Sequence, residues 1–208
     1  VPDQVTKIGA YAFKNCTALK EVKLSKALKE IGDSAFYACS GLTALNLPDT
    51  VTDIKDYAFR KCTGLKNVNF SAGLKTIGES SFYGCENLTE LNLPEGVTDI
   101  KGYAFKGCTG VTEVTLPTTL KTIGESAFYA CSGISRIEIP KSVTSVGDYG
   151  FSRCTKLSQV SFKGNAPAIG ANAFVKVSAK VNYPSGDVTW SKDKQKNYGG
   201  TLSWSETK

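Results

Sequence analysis

Apolar side chains recur along this chain with a strict period of 23 residues. Phenylalanine marks the period from Phe13 to Phe174, and cysteine marks it from Cys16 to Cys154. The chain therefore divides into eight units, which begin at residues 5, 28, 51, 74, 97, 120, 143 and 166. Within a unit, position 4 is Ile or Val, position 9 is the Phe, and position 12 is the Cys of the first seven units. Positions 15, 18 and 20 are mostly aliphatic.

Each unit combines two kinds of apolar spacing. Positions 18 and 20 alternate with polar positions, as in "LTALNLP" at 42–48, and this alternation is typical of a strand with one buried face. Pro often follows at position 21, where it would end the strand. Positions 8, 9, 12 and 15 have the spacing of one face of a short helical turn. The pattern predicts one main short strand and a short helix or 3-10 turn in every unit.

A unit of this length is too small to bury its apolar side alone. Stacking successive units buries a continuous column of apolar side chains, and this is the architecture of a solenoid. The chain has 208 residues, of which 41% are hydrophobic, so it is long enough to bury a sizeable core. The predicted fold class is therefore an α/β repeat.

The shared pattern "VTxIGxxAFxxCxxLxxVxLPxxL" resembles the leucine-rich repeat of BspA-like bacterial surface proteins, which is related to repeats of treponemal surface proteins. The resemblance covers residues 1–184 and rests on seven full copies at fixed spacing. It implies a right-handed leucine-rich-repeat solenoid at the bacterial cell surface or in the extracellular space. It also implies adhesion, with extracellular-matrix or plasma proteins of a host as typical partners.

The ends of the chain depart from the repeat. Residues 1–4 match positions 20 to 23, so we expect the solenoid, at 1–184, to be entered in mid-repeat. The eighth unit is degenerate, because it is two residues short between Phe174 and Val181. We expect 185–208 to cap the column with its apolar residues and to be truncated. A solenoid cut at its N-terminal end would expose a strand edge, which invites dimerisation of such a fragment.

Charge and hydropathy limit the classes of partner that we expect for this chain. The net charge is +6, but the lysines are scattered, which is typical of a solvated surface, and we expect no binding to nucleic acid. No apolar run approaches the roughly 18 residues that a membrane-spanning helix needs, so this segment is not expected to insert into a membrane.

The recurring cysteine has several interpretations. Metal sites need several ligands converging on one point, whereas each unit offers one Cys, and the chain has no His. Adjacent units would lie roughly 5 Å apart, so disulfides remain within reach, although seven cysteines is an odd number. Val177 replaces the Cys in the eighth unit, which keeps an apolar side chain and removes the thiol. We therefore favour a ladder of buried free thiols over disulfides or reactive cysteines.

Enzyme chemistry finds no support in the sequence. The chain has no His for general acid–base work, no nucleophile elbow of the GxSxG type and no Gly-rich phosphate loop. We therefore expect neither catalysis nor a cofactor.

Positions 17 and 19 should point outward from the predicted strands, onto the concave sheet. They are polar and hydrogen-bonding, with an acidic middle, and solenoids commonly bind ligands on such a surface. The alternative is a polar ladder that only keeps the sheet soluble, since no aromatic or Arg cluster marks a hot spot there. The candidate ligand-binding residues are Asn46, Asn67, Asn69, Glu90, Asn92, Glu113, Thr115, Arg136 and Glu138.

Tyrosine follows a second pattern, with a period of 46 residues. It occupies position 7 of odd units and position 10 of even units, as at Tyr57 and Tyr83. Lys14, Arg60 and Lys106 stand at position 10 of odd units, where they could form cation–π contacts with the rings. The rings either stack between repeats or form an exposed aromatic strip for a partner protein or glycan.

Two functions fit these features. One is an extracellular binding module that recognises a protein or glycan through the solenoid surface. The other is a structural spacer that displays another domain and binds nothing itself. The outward-facing polar residues separate the two, because only the first function depends on them.

Overall fold

The computed structural model describes residues 1–207, and every regular element in that range is a β-strand. Lys208, the last residue of the predicted capping segment, lies outside the described residues. The strands are β1 (Lys7–Ile8), β2 (Glu30–Ile31), β3 (Ala44–Asn46), β4 (Asp53–Ile54), β5 (Asn67–Asn69), β6 (Thr76–Ile77), β7 (Glu90–Asn92), β8 (Asp99–Ile100), β9 (Glu113–Thr115), β10 (Thr122–Ile123), β11 (Arg136–Ile139), β12 (Ser145–Val146), β13 (Gln159–Phe162), β14 (Ala168–Ile169), β15 (Ser178–Tyr183) and β16 (Thr201–Glu206).

The strands form parallel sheets on two sides of a solenoid. Positions 3 and 4 of the eight units build one continuous sheet in the order β1-β2-β4-β6-β8-β10-β12-β14. Positions 17 to 19 build a second side, which is divided into the pairs β3-β5 and β7-β9 and the four-stranded sheet β11-β13-β15-β16. Every pairing is parallel, and the registers of neighbouring units differ by one repeat, as in Ile54 opposite Ile77. The predicted solenoid is confirmed, and beside the one main strand that the sequence suggested, units two to eight each carry a second strand.

The column of phenylalanines is the centre of the core. The eight rings at position 9 stack from Phe13 to Phe174 with centroids 4.9 to 5.7 Å apart and interplanar angles of 1° to 18°. From Phe36 onward these rings are fully buried, among the aliphatic side chains of positions 1, 4, 15 and 18. The stacking distance gives the rise of one coil.

The predicted short helix or 3-10 turn is wrong for the described residues 1–207, which contain no helix. Positions 7 to 12 form successive turns in which alternate N–H groups have different partners. In the central unit the N–H of Lys106 donates to the carbonyl of Tyr103 at 3.0 Å, within the turn, whereas the N–H of Phe105 donates to the carbonyl of Ala127, in the next coil, at 2.8 Å. A helix would direct both N–H groups back along its own chain, so bonding between coils replaces it.

Left-handed backbone makes this alternation possible. Position 7 of the first seven units has φ of 51° to 60°, and position 11 of all eight units has φ of 56° to 75°. Most of these residues are not glycine, and they include Tyr57 and Lys61. A left-handed residue with a side chain costs about 1–2 kcal/mol, so contacts between coils must offset that cost in every repeat. Spacing alone could not distinguish this segment from a helix, because apolar positions 9 and 12 point inward in both.

Residues 185–207 add one further coil. β16 pairs with β15 over six positions, and the N–H of Phe174 donates to the carbonyl of Tyr198 at 2.9 Å. The Trp190 ring is buried against Phe162 and Tyr183, with centroids 4.7 and 5.5 Å away. Val188, which was expected to cover the core, is instead 92% exposed. The two segments meet through continuous strand pairing, and the domain division at residue 184 stays a prediction.

Removing one ring from the middle of the column tests the role of the core. We expect Phe105→Ala to lower the free energy of unfolding by about 3–5 kcal/mol, because it leaves a cavity between two stacked neighbours. Phe13→Ala is the matched control, since Phe13 is half-buried at the end of the column and should cost less. Chemical denaturation followed by circular dichroism measures both. A loss below about 1 kcal/mol at Phe105 would contradict its central position.

Replacing a glycine by alanine should lower stability in a left-handed turn, whereas it should raise stability in a helix. Gly84 has φ of 71°, and an added Cβ would meet no atom closer than 3.9 Å. Gly84→Ala should therefore lower stability by about 1 kcal/mol through backbone conformation alone, whereas in a helix the same change would raise stability by a similar amount. Ala38→Gly, at the equivalent position two coils earlier, should show little or no loss. A gain in thermal stability for Gly84→Ala would disprove the left-handed geometry.

Candidate functional site

The nine candidate residues all lie on the solvent side of the second row of strands. In β3, β5 and β7 the central residue is buried and its two neighbours are exposed, so the alternation of the sequence is reproduced in the structure. We call this surface the polar strip, and it consists of Asn46, Asn67, Asn69, Glu90, Asn92, Glu113, Thr115, Arg136 and Glu138, each of which is exposed. Their part in binding stays a prediction.

Strand pairing divides the polar strip into sections of different chemistry. Asn69 donates a side-chain hydrogen bond to Asn46, so the first section is held by its own amides. In the second section Glu90 lies directly opposite Glu113 across the β7-β9 pair. Like charges directly opposite each other destabilise a sheet, so stability of the fold does not account for these two carboxylates. The second section is the acidic middle predicted from the sequence, and the third section begins at Arg136.

A groove of about 780 Å³ opens where the second and third sections meet. β9 and β11 are neighbours in space but belong to different sheets, so a break in the strand pairing runs beneath the groove. Four residues of the polar strip line it, together with Gln159, Lys141 and Lys163; the four are Glu113, Thr115, Arg136 and Glu138. Val114 is only half-buried and supplies apolar surface. The sequence indicated the residues on either side, but the break that shapes the groove is visible only in the fold.

The charges of the groove are incompletely paired. Lys163 Nζ lies 3.1 Å from Glu138 Oε1, and both side chains are exposed. Within residues 1–207, Arg136, Lys141 and Glu113 form no ion pair. The groove therefore offers a guanidinium and an ammonium to an anionic group, and a carboxylate to a hydrogen-bond donor. Guanidinium donors in a fixed planar arrangement suit bidentate contact with a carboxylate.

Sequence reasoning missed Lys141 and Lys163 as lining residues. Lys163 stands at position 21, where five units carry Pro, and this departure was the available signal. Both lysines also line a second cavity of about 570 Å³, beside the loop at 164–167. The two cavities thus adjoin along the edge of the solenoid.

The tyrosines and cations make the contacts that their spacing suggested. The Arg60 guanidinium lies 4.2 Å from the centroid of the Tyr83 ring, and Lys106 Nζ lies 4.6 Å from that of Tyr129. These rings are half-buried, so the tyrosines both pack between coils and reach the surface. The Tyr103 hydroxyl donates to Glu125 Oε1 at 2.6 Å, which ties neighbouring coils together.

Comparison with known families identifies the repeat. Residues 1–102 and 75–189 match the model of the BspA type leucine rich repeat region, in six copies. The chain belongs to this family. The resemblance in the sequence and the leucine-rich-repeat solenoid are thereby confirmed, and a search among curated proteins gives no match.

Solved structures of bacterial leucine-rich repeat proteins are similar to this BspA-type chain. One from Bacteroides ovatus is 33% identical over 88% of the chain, with a TM-score of 0.79, and the chain spans 48% of that protein. One from T. pallidum is 30% identical with a TM-score of 0.70, and the match covers 76% of each chain. The pneumococcal vaccine antigen PcpA covers 90% of this chain and 42% of its own at 18% identity and a TM-score of 0.54, so it shares the fold alone.

The cysteines of this BspA-type solenoid are free, and six of the seven are buried. Each buried thiol donates to the carbonyl oxygen of the Phe one coil earlier, at 3.0 to 3.3 Å, as Cys108 does to Phe82. The thiols therefore join coils by hydrogen bonds as well as by packing. Cys16 is exposed, and it lies in the first coil of the described residues, where it donates no hydrogen bond of this kind. Within residues 1–207 no group of three metal-binding side chains comes together, and no helix is long and apolar enough to span a membrane.

Burial suppresses the chemistry of these thiols. It raises the pKa of Cys108 and of Cys154 from 9.0 to about 12, because the thiolate would lose its hydration inside the column. The reactive form of cysteine is the thiolate, so these thiols are poor nucleophiles in the folded protein.

Thiol labelling tests this arrangement. Without reductant, we expect one cysteine, Cys16, to react quickly in the native protein and the other six to react only after denaturation. Cys16→Ser should abolish the fast phase and leave the slow phase unchanged. Fewer than seven reactive thiols in denaturant would reveal a disulfide and contradict the free thiols of this structure.

The raised thiol pKa values also predict a pH dependence. The unfolded thiols ionise above pH 9.0, whereas Cys108 stays neutral in the fold up to about 12, so its stabilising contribution is complete below 9.0 and is lost as the pH rises toward 12. That loss amounts to about 1.4 kcal/mol per pH unit for each such thiol. Cys108→Val should leave the free energy of unfolding nearly unchanged at pH 7. Between pH 9.0 and about 12, stability of this variant should fall less steeply with pH, by the contribution of one thiol, in denaturation curves recorded at alkaline pH. An unchanged slope would show that the thiol ionises as freely in the fold as outside it.

Proposed function

We propose that this chain is an extracellular binding module of a bacterial surface or secreted protein, which recognises a protein or glycan through the polar strip. The observation that carries the proposal is the groove between β9 and β11, because four of the nine residues named from the sequence line it. A volume of about 780 Å³ lies in the range of ligand-binding pockets.

The charges of the groove suit a ligand that presents both signs. Arg136 and Lys141 offer unpaired cations at separate points along one coil, and Glu113 offers an unpaired carboxylate beside Arg136. A short peptide segment with acidic and basic side chains has this chemistry, and so does a glycan that carries a carboxylate and an amide. Free aromatic rings are missing from the lining within the described residues, so stacking on neutral sugars is disfavoured there.

The family supports the location and the kind of partner. BspA-like proteins are surface proteins, and the resemblance implies adhesion to extracellular-matrix or plasma proteins of a host. The function in this proposal is binding without catalysis. The B. ovatus protein is about twice as long as this chain. The proposal therefore extends to a longer surface protein that would contain this segment.

A structural spacer is the second candidate. Its supporting observation is the continuous eight-stranded sheet and Phe column, which make the array suitable for holding another domain at a distance. A spacer does not need the unpaired charges of the groove, and it predicts that replacing them has no consequence.

Binding assays on groove variants separate the two functions. The wild-type chain is tested against an immobilised panel of host matrix and plasma proteins and against a glycan array. Glu113→Gln combined with Arg136→Gln should weaken any captured interaction at least tenfold, or about 1.4 kcal/mol, because both charged contacts are lost. Both side chains are exposed, so thermal stability should not change.

Glu86→Gln combined with Lys121→Gln is the matched control, since it removes one charge of each sign from exposed positions outside the groove. The control should bind like the wild type. Equal binding by the groove variant would exclude the groove as the binding site, and a wild-type chain that captures nothing would favour the spacer.

A further inference from the structure

A row of alternating cations and aromatic rings runs along the solenoid on the side formed by the turns. We call it the tyrosine–cation row, and it consists of Lys14, Tyr37, Arg60, Tyr83, Lys106, Tyr129 and Arg153. Positions 10 and 11 of successive coils carry it, whereas positions 17 and 19 carry the polar strip. The row is therefore a surface separate from the groove.

Two rings of the row already lie between the protein's own cations. Tyr83 lies between Arg60, 4.2 Å from its centroid, and Lys106, 5.7 Å from its centroid. Tyr129 lies in the same way between Lys106 and Arg153, at 4.6 and 5.7 Å. The two cations come from the coils before and after each ring. Because both neighbouring coils place a cation on Tyr83 and on Tyr129, stacking of a neutral sugar on these two rings is disfavoured, and the row instead offers positive charge and phenol hydroxyls.

The cations of the row lack protein partners. Within residues 1–207, Lys14, Arg60, Lys106 and Arg153 form no ion pair. Five units carry a carboxylate at position 6, and these groups already accept hydrogen bonds from other coils. Glu125 accepts from the Tyr103 hydroxyl, for example. Lys14 and Arg153 are exposed, and Arg60 and Lys106 are half-buried, so an anion from outside can approach the row.

Spacing limits the kind of anion. One coil rises by about 5 Å, as the Phe column shows, so cations that recur every second coil stand roughly 10 Å apart. Double-stranded DNA carries a charge every 1.7 Å or so, which is far denser than this row. A polysaccharide with one acidic group per disaccharide presents its charges at about the spacing of two coils.

We propose that the tyrosine–cation row binds a linear acidic polysaccharide that carries one carboxylate per disaccharide and lies along the axis of the solenoid. Each carboxylate contacts one cation of the row, and the tyrosine hydroxyls donate to sugar oxygens between the charges. Cations that recur every 46 residues are therefore spaced like the successive carboxylates of this ligand.

Hyaluronan oligosaccharides of two, four and six disaccharides are the probes, in calorimetric titrations at low salt. Affinity should rise from two to four disaccharides, because four cations of the row are then engaged, and it should fall as salt is added. The variant Arg60→Gln, Lys106→Gln, Arg153→Gln should bind at least tenfold more weakly. Lys29→Gln, Lys75→Gln, Lys121→Gln is its control, since it removes the same charge from exposed lysines outside the row.

A second variant, Lys14→Gln with Arg153→Gln, changes only exposed side chains and keeps the test valid if the first variant folds poorly. It should also weaken binding, and carboxyl-reduced hyaluronan should not bind. The proposal is overturned if the wild type does not bind hyaluronan at low salt, or if the control variants lose as much affinity as the row variants. Equally tight binding of single-stranded oligothymidylate of the same length would also overturn it, because it would show a response to negative charge of any spacing.

Discussion

The hydrogen bonds that join one coil to the next through the turn segment are the constraint on which the rest of this structure depends. Every second N–H between positions 7 and 11 leaves its own turn and donates to a carbonyl of the following coil, as Phe105 does to Ala127 at 2.8 Å. These bonds fix the rise of the coil near 5 Å, the distance at which the Phe rings stack. They also bring each Cys thiol to the carbonyl of the preceding Phe. The left-handed residues are the conformational cost of this bonding, and burial of the column offsets it.

Because the rise of the coil is fixed, side chains at the same position of successive units form a row along the solenoid. Rows at core positions have little freedom to carry function, because only apolar side chains of similar size preserve the column. Rows at outward positions are free to vary, and in this chain they carry two kinds of chemistry. The polar strip changes from amides to carboxylates to a guanidinium along its length, and it holds a groove where the strand pairing breaks. The tyrosine–cation row instead repeats regularly, with half the frequency of the coil. An irregular row suits a ligand of defined shape, and a regular row suits a ligand that itself repeats.

The outcome for particular residues shows where sequence reasoning succeeded. The buried positions, the solenoid and the outward direction of residues such as Asn69 and Arg136 followed from alternation and period, which depend only on local geometry. The helix at positions 8 to 15 was wrong, because the same apolar spacing fits a run of turns and because the competing hydrogen bonds come from a residue 22 positions away. Cys16 was expected to be buried like its equivalents, but burial of a repeat depends on the neighbour above it. Lys141 and Lys163 were missed because a groove depends on how two coils meet.

The sequence by itself determined the period, the column of Phe and Cys, the family and the polarity of each outward row, because each of these is a property of one 23-residue unit that is repeated. The tertiary structure alone decided the left-handed turns, the break in strand pairing between β9 and β11, and the placing of one tyrosine between the cations of two neighbouring coils. The physical reason is the same in each case. These features arise from contacts between units, and their energies depend on the distance and register of neighbouring coils, which no single unit contains.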